Sequence, residues 1–414
     1  MQKIAERYVR LVLAVGQHDP DYVDAYYGPA EWRPDGLPRP LGELRAEAAA
    51  ILDTLASTPL DDAATDGEGG EPDMQRLRRA YLVRQTQAVD TRLRMLEGER
   101  FRFDEESQGL YDAVAPTHDE AHFAALLGAL EARLPGRGPV HARYDEYRRA
   151  FVVAPDRLDA VFSAAIEEGR SRTREHLALP AGERFTVEYV TGKPWSGYNW
   201  YQGGGVSLIQ MNTELPIYID RAVDLACHEG YPGHHVYNLL LEQHLVLARG
   251  WQEFTVYALF SPQSLIAEGT ANFGIEVAFP GADRVAFERE RLFPVAALDP
   301  ARAADYYETI ALVERLSYAG NEAARRYLDG VYSAAEAVDW LETYALMPRP
   351  RAEQRVRFFD RYRSYVINYN LGTDLVRRYI EARGGTADQP ARRWQAFGEL
   401  LSSPRLPSAL RDQR

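Results

Sequence analysis

The chain has a single cysteine, Cys227, in 414 residues, so no disulfide can form within it. That thiol sits in an apolar stretch beside His228 and reads as a buried structural group. Adjacent helical residues point about 100° apart, and the neighbouring imidazole is the better metal donor. Long hydrophobic runs are also missing, and no segment is apolar over the roughly 20 residues that a spanning helix needs. The opening Met1-Gln2-Lys3-Ile4-Ala5-Glu6-Arg7 goes straight into a charged amphipathic pattern, without the apolar region of a signal peptide. A cytoplasmic protein without a membrane partner is therefore expected. Positive charge is in deficit as well: 48 Lys and Arg stand against 61 Asp and Glu, a net charge of −13. That balance argues against nucleic acid as a partner, because phosphate backbones select cationic surfaces. The basic run Arg349–Arg363 is interrupted by Glu353 and Asp360 and reads as a solvated helix face.

What is present is a folded composition, 46% hydrophobic and 26% charged. Apolar residues recur at helical spacing through Ile4, Tyr8, Leu11 and Val15, and again over 41–57, 74–98, 118–134, 139–152 and 155–176. A turn-rich aromatic stretch follows the first helix, from Asp19 to Pro29. Residues 58–73 are acidic and glycine-rich with little to bury, which predicts a mobile loop. The pattern changes at Phe185, where Phe185–Val190 alternates as a half-buried strand does. Pro194–Tyr201 reads as aromatic turns. Gly203-Gly204-Gly205 precedes a second strand, Val206–Met211, and lacks phosphate-loop spacing, so a hairpin turn is expected. Beyond Pro216 everything reads helical. The fold class is mainly α with a small β-sheet, divided into an N-terminal helical region (1–175) and a catalytic region (176–414) that form one integrated unit.

Chemistry concentrates in His228-Glu229-Gly230-Tyr231-Pro232-Gly233-His234-His235. Imidazoles bind zinc at about 2.0–2.1 Å, and a glutamate beside the first one stays off the metal to handle protons. The usual second histidine, four residues on, is here Pro232. In an unbroken helix the six residues to His234 turn about 240°, onto the wrong face; the seven to His235 restore the face but separate the Cα atoms by about 10.5 Å. Proline removes a backbone donor and glycine permits unusual dihedrals. A bulge at Pro232-Gly233 is therefore expected to draw His234 back towards His228, the smaller distortion. A kinked helix that binds no metal is the competing reading.

This segment resembles the signature of the DUF885 family, bacterial proteins grouped with zincin-type metallopeptidases. Ala267-Glu268-Gly269-Thr270-Ala271-Asn272-Phe273 is similar to that family's Glu-Gly-Trp-Ala-Leu-Tyr segment. Tyr362–Tyr365 and Asn368–Gly372 are similar to its C-terminal tyrosine-glycine block. The resemblance covers about 185–380 and implies a zincin-like architecture with a helical cleft. It also favours His234 over His235. Thr270 stands where the family has tryptophan, a change that would open a substrate pocket.

Zinc needs a third protein ligand and one open position. Arg249-Gly250 suits a helix end, and Ser261-Pro262 suits a start, with serine as N-cap and proline at the first helical position. A helix from there returns Glu268 to the metal, with Glu276 as the runner-up. Small residues flanking Glu268 would let this helix approach the first closely. Asn272, one turn on, and Asp224, one turn before His228, are candidates to hydrogen-bond a ligating imidazole. Among the helically spaced Tyr362, Tyr365 and Tyr369, the resemblance selects Tyr369 as the oxyanion donor. Arg363 is a candidate for a substrate carboxylate, and His235 and His244 are read as supporting. The expectation is one Zn²⁺ per chain and a peptidase in which Glu229 activates the metal's water. Val206–Met211 would pair with an extended peptide substrate. The alternatives are a catalytically silent metal-binding scaffold and a metal-dependent hydrolase of non-peptide amides.

Overall fold

The computed structural model describes residues 1–59 and 74–411. Most of the expected acidic loop thus lies outside the described residues. Helices form where periodicity predicts them, at Gln2–Val15, Leu41–Ser57, Met74–Leu96, Glu120–Arg133, Val140–Arg148 and Leu158–His176. A further helix, Phe103–Tyr111, was not expected; it buries Phe103, Leu110 and Tyr111 despite its acidic first turn. The chain is mostly helical throughout, and among the described residues no helix is long and apolar enough to cross a membrane. One continuous cluster of buried side chains, from Ile4 to Leu410, takes members from both halves of the chain.

Among the described residues the strands are β1 (Val23–Tyr26), β2 (Arg184–Val190), β3 (Gly197–Gly203), β4 (Val206–Asn212) and β5 (Val256–Ala258). Three of these, β1, β3 and β5, occupy stretches read as turns or helix. β1 and β5 are too short to show a period of two, and only their antiparallel pairing makes them strands. β3 and β4 form a hairpin whose turn holds Gly203, Gly204 and Gly205 at φ of +80°, +62° and +71°, which residues with a Cβ rarely adopt. The sheet order is β2-β4-β3, with β2 and β4 parallel. β4 is therefore paired on both sides and has no free edge for a substrate strand, contrary to the sequence expectation. The edge strand at the cleft is β3.

The glutamate helix (Pro262–Ala278) crosses the tyrosine helix (Ile367–Ala382) at a pair of glycines. A Cβ added to Gly269 would lie 2.5 Å from the backbone of Gly372, so these two main chains touch. On the opposite face, a Cβ on Gly274 would stand 3.1 Å from Pro232. The small residues around Glu268 were expected to admit the histidine helix; Gly269 instead admits the tyrosine helix. Ser261 precedes Pro262 as expected, but its hydroxyl donates to the Ala258 carbonyl and does not cap the helix.

Gly269→Ala tests this crossing. Alanine in a helix ordinarily gains up to ~1 kcal/mol over glycine, but overpacking costs about 1–3 kcal/mol. Gly269→Ala is expected to lower the melting temperature, whereas Gly128→Ala, on an open helix surface with nothing near its Cβ, is expected to raise it slightly.

Candidate metal centre

The helix Asp220–Leu225 runs into a π-helical turn, Ala226–Gly230, that carries His228 and Glu229. The chain then breaks. Tyr231–Pro232 is a cis peptide, the Gly233 amide donates back to the Cys227 carbonyl at 2.9 Å, and a new helix starts at His234 and runs to Leu241. The expected bulge in a continuous helix is thus a full interruption, because Pro232 has no amide to continue the ladder. Gly233 is pressed so closely onto the preceding turn that a Cβ there would lie 2.0 Å from the His228 carbonyl oxygen. This fold-back brings His234 Nε2 to 3.1 Å from His228 Nε2.

The glutamate helix supplies the third group. Glu268 Oε2 lies 3.2 Å from His228 Nε2 and 3.8 Å from His234 Nε2. It is buried, yet no N–H is aligned to give it a hydrogen bond. Its partner Oε1 accepts from the Tyr365 hydroxyl at 2.7 Å. The three ligand atoms lie within 4.8 Å of one another. The edge of a tetrahedron with 2.0–2.1 Å bonds is about 3.3 Å, so the three separations suit a single small cation of the zinc type. Two imidazoles and one carboxylate are also a donor set that zinc accepts.

Asn272 does what its spacing predicted. Its amide nitrogen donates to the Tyr369 carbonyl at 3.2 Å, which turns its oxygen towards His228 Nδ1 at 2.9 Å. With a cation bound, the ring's proton would be held at Nδ1 and its Nε2 lone pair would face the cluster. Glu229 is buried beside the cluster and lines the same cleft; a Cβ on Gly197 at the start of β3 would reach within 2.6 Å of its Oε1. Burial pushes the Glu229 carboxyl above its usual range, against the pull of His228 and His234. Burial acts the same way on Glu268, but the two histidines overcome it and hold that carboxyl well below its usual range. Burial opposes charge on His228 too, yet Glu268, Glu229 and Asn272 together raise that ring to about 9.

Several assignments are corrected by the structure. Asp224 does not reach an imidazole; it pairs with Arg284 at 2.8 Å and Arg221 at 3.0 Å. His235, read as supporting, does point away from His234, into a buried network where Ser207 Oγ meets Nδ1 at 2.8 Å and Glu183 meets Nε2 at 3.1 Å. Arg363 is turned from the cleft and binds Glu106 at 2.5 Å, so it is not placed to take a substrate carboxylate. Thr270 is buried with its hydroxyl on the Ala267 carbonyl and opens no pocket. Glu276 pairs with Arg377 and leaves the cluster to Glu268. Cys227 is buried, as expected.

The cluster floors a cleft of about 1350 Å³. Tyr369 lines it, 5.8 Å from the Tyr365 ring, and burial together with the Glu268 charge keeps its phenol protonated. Of two further groups in the cleft wall, the sequence reading passed over one and missed the other. Tyr365 had the same helical spacing as its neighbours, and nothing local marked it as the partner of Glu268. Asp24 reaches the cleft only because β1 pairs with β5; its carboxylate accepts from Tyr198, and burial raises it to about 6.

No family model matches the chain, and no curated protein matches it. Its fold is similar to that of a solved "putative lipoprotein" from Colwellia psychrerythraea, at a TM-score of 0.53 and 15% identity, over 92% of this chain and 69% of that one. A second structure, a "putative lipoprotein of unknown function" from Shewanella oneidensis, aligns at a TM-score of 0.44 and 12% identity, over 87% of this chain and 72% of that one. At such identity the Colwellia likeness concerns the fold alone.

With no cation bound, the charged His228 ring stabilises the folded chain fully below its ordinary pKa of about 6.5. That contribution fades as pH rises through about 9. An NMR titration of the chelator-treated protein is expected to place the His228 midpoint near 9. A midpoint at the ordinary value would mean that Glu268 is not where the structure puts it.

Proposed function

We propose that the chain is a zinc-dependent peptidase of the zincin type, related to the DUF885 family, with one ion held by His228, His234 and Glu268. The observation that carries this reading is Glu268 Oε2, buried without a hydrogen bond among two converging imidazole nitrogens. Three such donor atoms this close are costly without a proton or a cation between them, and a cation between the three groups removes that cost. Zinc bound there would act as a Lewis acid and bring a water's pKa towards about 7.

The chain's own residues supply the rest. Glu229 sits beside the cluster without being part of it, and burial makes its carboxylate more basic. It would take a proton from the attacking water and return it to the leaving amine. Tyr369, held protonated, would donate to the oxygen that gains charge in the transition state. Asn272 would keep the His228 ring in the tautomer that a metal requires. An extended substrate would lie along β3, whose first residues line the cleft, as an added strand. With this reading goes the expectation of a cytoplasmic enzyme that acts on peptides, with no nucleic-acid or membrane partner.

Elemental analysis is expected to find near one zinc per chain, lost in both His228→Ala and Glu268→Ala. Glu229→Gln should keep its zinc while hydrolysis falls by about 10²–10⁴-fold; full activity in that variant would remove the glutamate from the mechanism. Tyr369→Phe is expected to lower kcat by roughly 10²–10³-fold with little change in KM.

A further inference from the structure

The helix Arg349–Tyr362 was read from its charges as a solvated face. Two of its arginines, one turn apart on the same side, instead line the cleft. Arg351 donates to Ser196 Oγ and to Gln354 Oε1, both at 2.7 Å and both neutral acceptors. Arg355 lies over the Phe358 ring at 4.5 Å and faces the Tyr369 ring at 5.6 Å, with its Nε buried and unpartnered.

The remaining cleft arginines differ. Arg221 and Arg284 share Asp224, Arg289 pairs with Glu290, and Arg377 pairs with Glu276 and Asp374. Among the described residues, neither Arg351 nor Arg355 forms an ion pair with a carboxylate, in a chain with 13 more acidic than basic side chains. Two desolvated guanidiniums facing the same open cavity without a counter-ion are costly unless a ligand supplies the charge. Burial and the neighbouring cations Arg221, Arg355 and Arg148 lower Arg351 to about 10, as expected of cations crowded without an anion. Their placement also fits a substrate that lies across the cluster. Arg351 is tied to Ser196, next to the Gly197 that abuts Glu229, and Arg355 stands against the tyrosine wall beside Glu268. A group held there lies in the same cleft as the cluster.

We propose that Arg351 and Arg355 form an anion subsite that seats a carboxylate of the substrate and selects acyl compounds carrying a free carboxylate near the bond to be cut. The position of that bond rests on the hydrolase reading above, while the subsite rests on the arginines themselves. Guanidinium forks match carboxylates in shape as well as charge. The carboxylate comes either from the end of a peptide chain or from an Asp or Glu side chain.

The test measures binding, so that it does not depend on turnover. Calorimetry on the Glu229→Gln protein compares N-acetyl-Gly-Leu as free acid, the same compound as its C-terminal amide, and N-acetyl-Gly-Glu as a main-chain amide. Each is measured on the protein as purified and after chelation, because a carboxylate that binds only to a metal loses its advantage on chelation. One of the two carboxylate probes is expected to bind about 10–100-fold more tightly than the neutral amide, the worth of hydrogen bonds to a charged group. The advantage should survive chelation, collapse in both Arg351→Gln and Arg355→Gln, and persist in part in Arg355→Lys. Melting curves check that each variant is folded. The tighter of the two carboxylate probes identifies the source of the charge. Equal binding of all three probes, or a preference unchanged in both glutamine variants, overturns the subsite whether or not the native chain cleaves peptides. A preference that meets these terms in a protein that cleaves no peptide upholds the subsite and removes only the peptidase reading.

Discussion

Three atoms that carry lone pairs, two imidazole nitrogens and a carboxylate oxygen, are held within 4.8 Å of one another in a largely buried place. A charged His228 attracts Glu268, but nothing in their own chemistry draws a second imidazole to 3.1 Å from the first, so packing elsewhere must hold the three together. Two glycine contacts do it. Gly233 lies flat against the His228 carbonyl and folds the chain back, and Gly269 lies against Gly372 and sets the depth of the glutamate helix. The candidate site is therefore a product of backbone approach as much as of its ligands.

Around this centre, neighbours in sequence take opposite duties. His234 and His235 are adjacent on one helix and so point about 100° apart. The first faces the cleft, and the second is locked between Ser207 and Glu183. Glu183 also receives Arg170, Arg174 and Tyr231, and its carboxyl is drawn down to about 2 against the effect of burial. That network ties the sheet to the histidine segment from behind. Its charges lie behind that segment and outside the cleft.

The cleft wall is assembled from segments far apart in the chain. β1 brings Asp24, β3 brings Tyr198 and Gly197, and the helix Arg349–Tyr362 brings Arg351 and Arg355. The arginine that sequence reasoning chose, Arg363, sits just past the end of that helix at φ +50° and turns to Glu106. A short shift along one element thus separates a structural ion pair from a pair of unpaired cations. Charge spacing alone shows neither which side of a helix faces solvent nor which carboxylate waits across the gap.

The sequence by itself determined the helical shell, the β2 and β4 strands, the glycine hairpin, and His228, Glu229, His234, Glu268 and Asn272 as the residues to watch. Each of these follows from short-range rules: hydrophobic period, turn chemistry, and residues one turn apart on one face. Only the tertiary structure decided that the helix breaks at Pro232 and does not bulge, that Tyr365 holds Glu268, and that Asp24, Arg351 and Arg355 face the same cavity. It also decided that β4 has no free edge and that Asp224, Thr270 and Arg363 are occupied elsewhere. The physical reason is that these outcomes depend on which distant group lies opposite. Strand pairing, helix crossing and ion pairing between remote segments settle that, and, Pro232 apart, local pattern carries no trace of it.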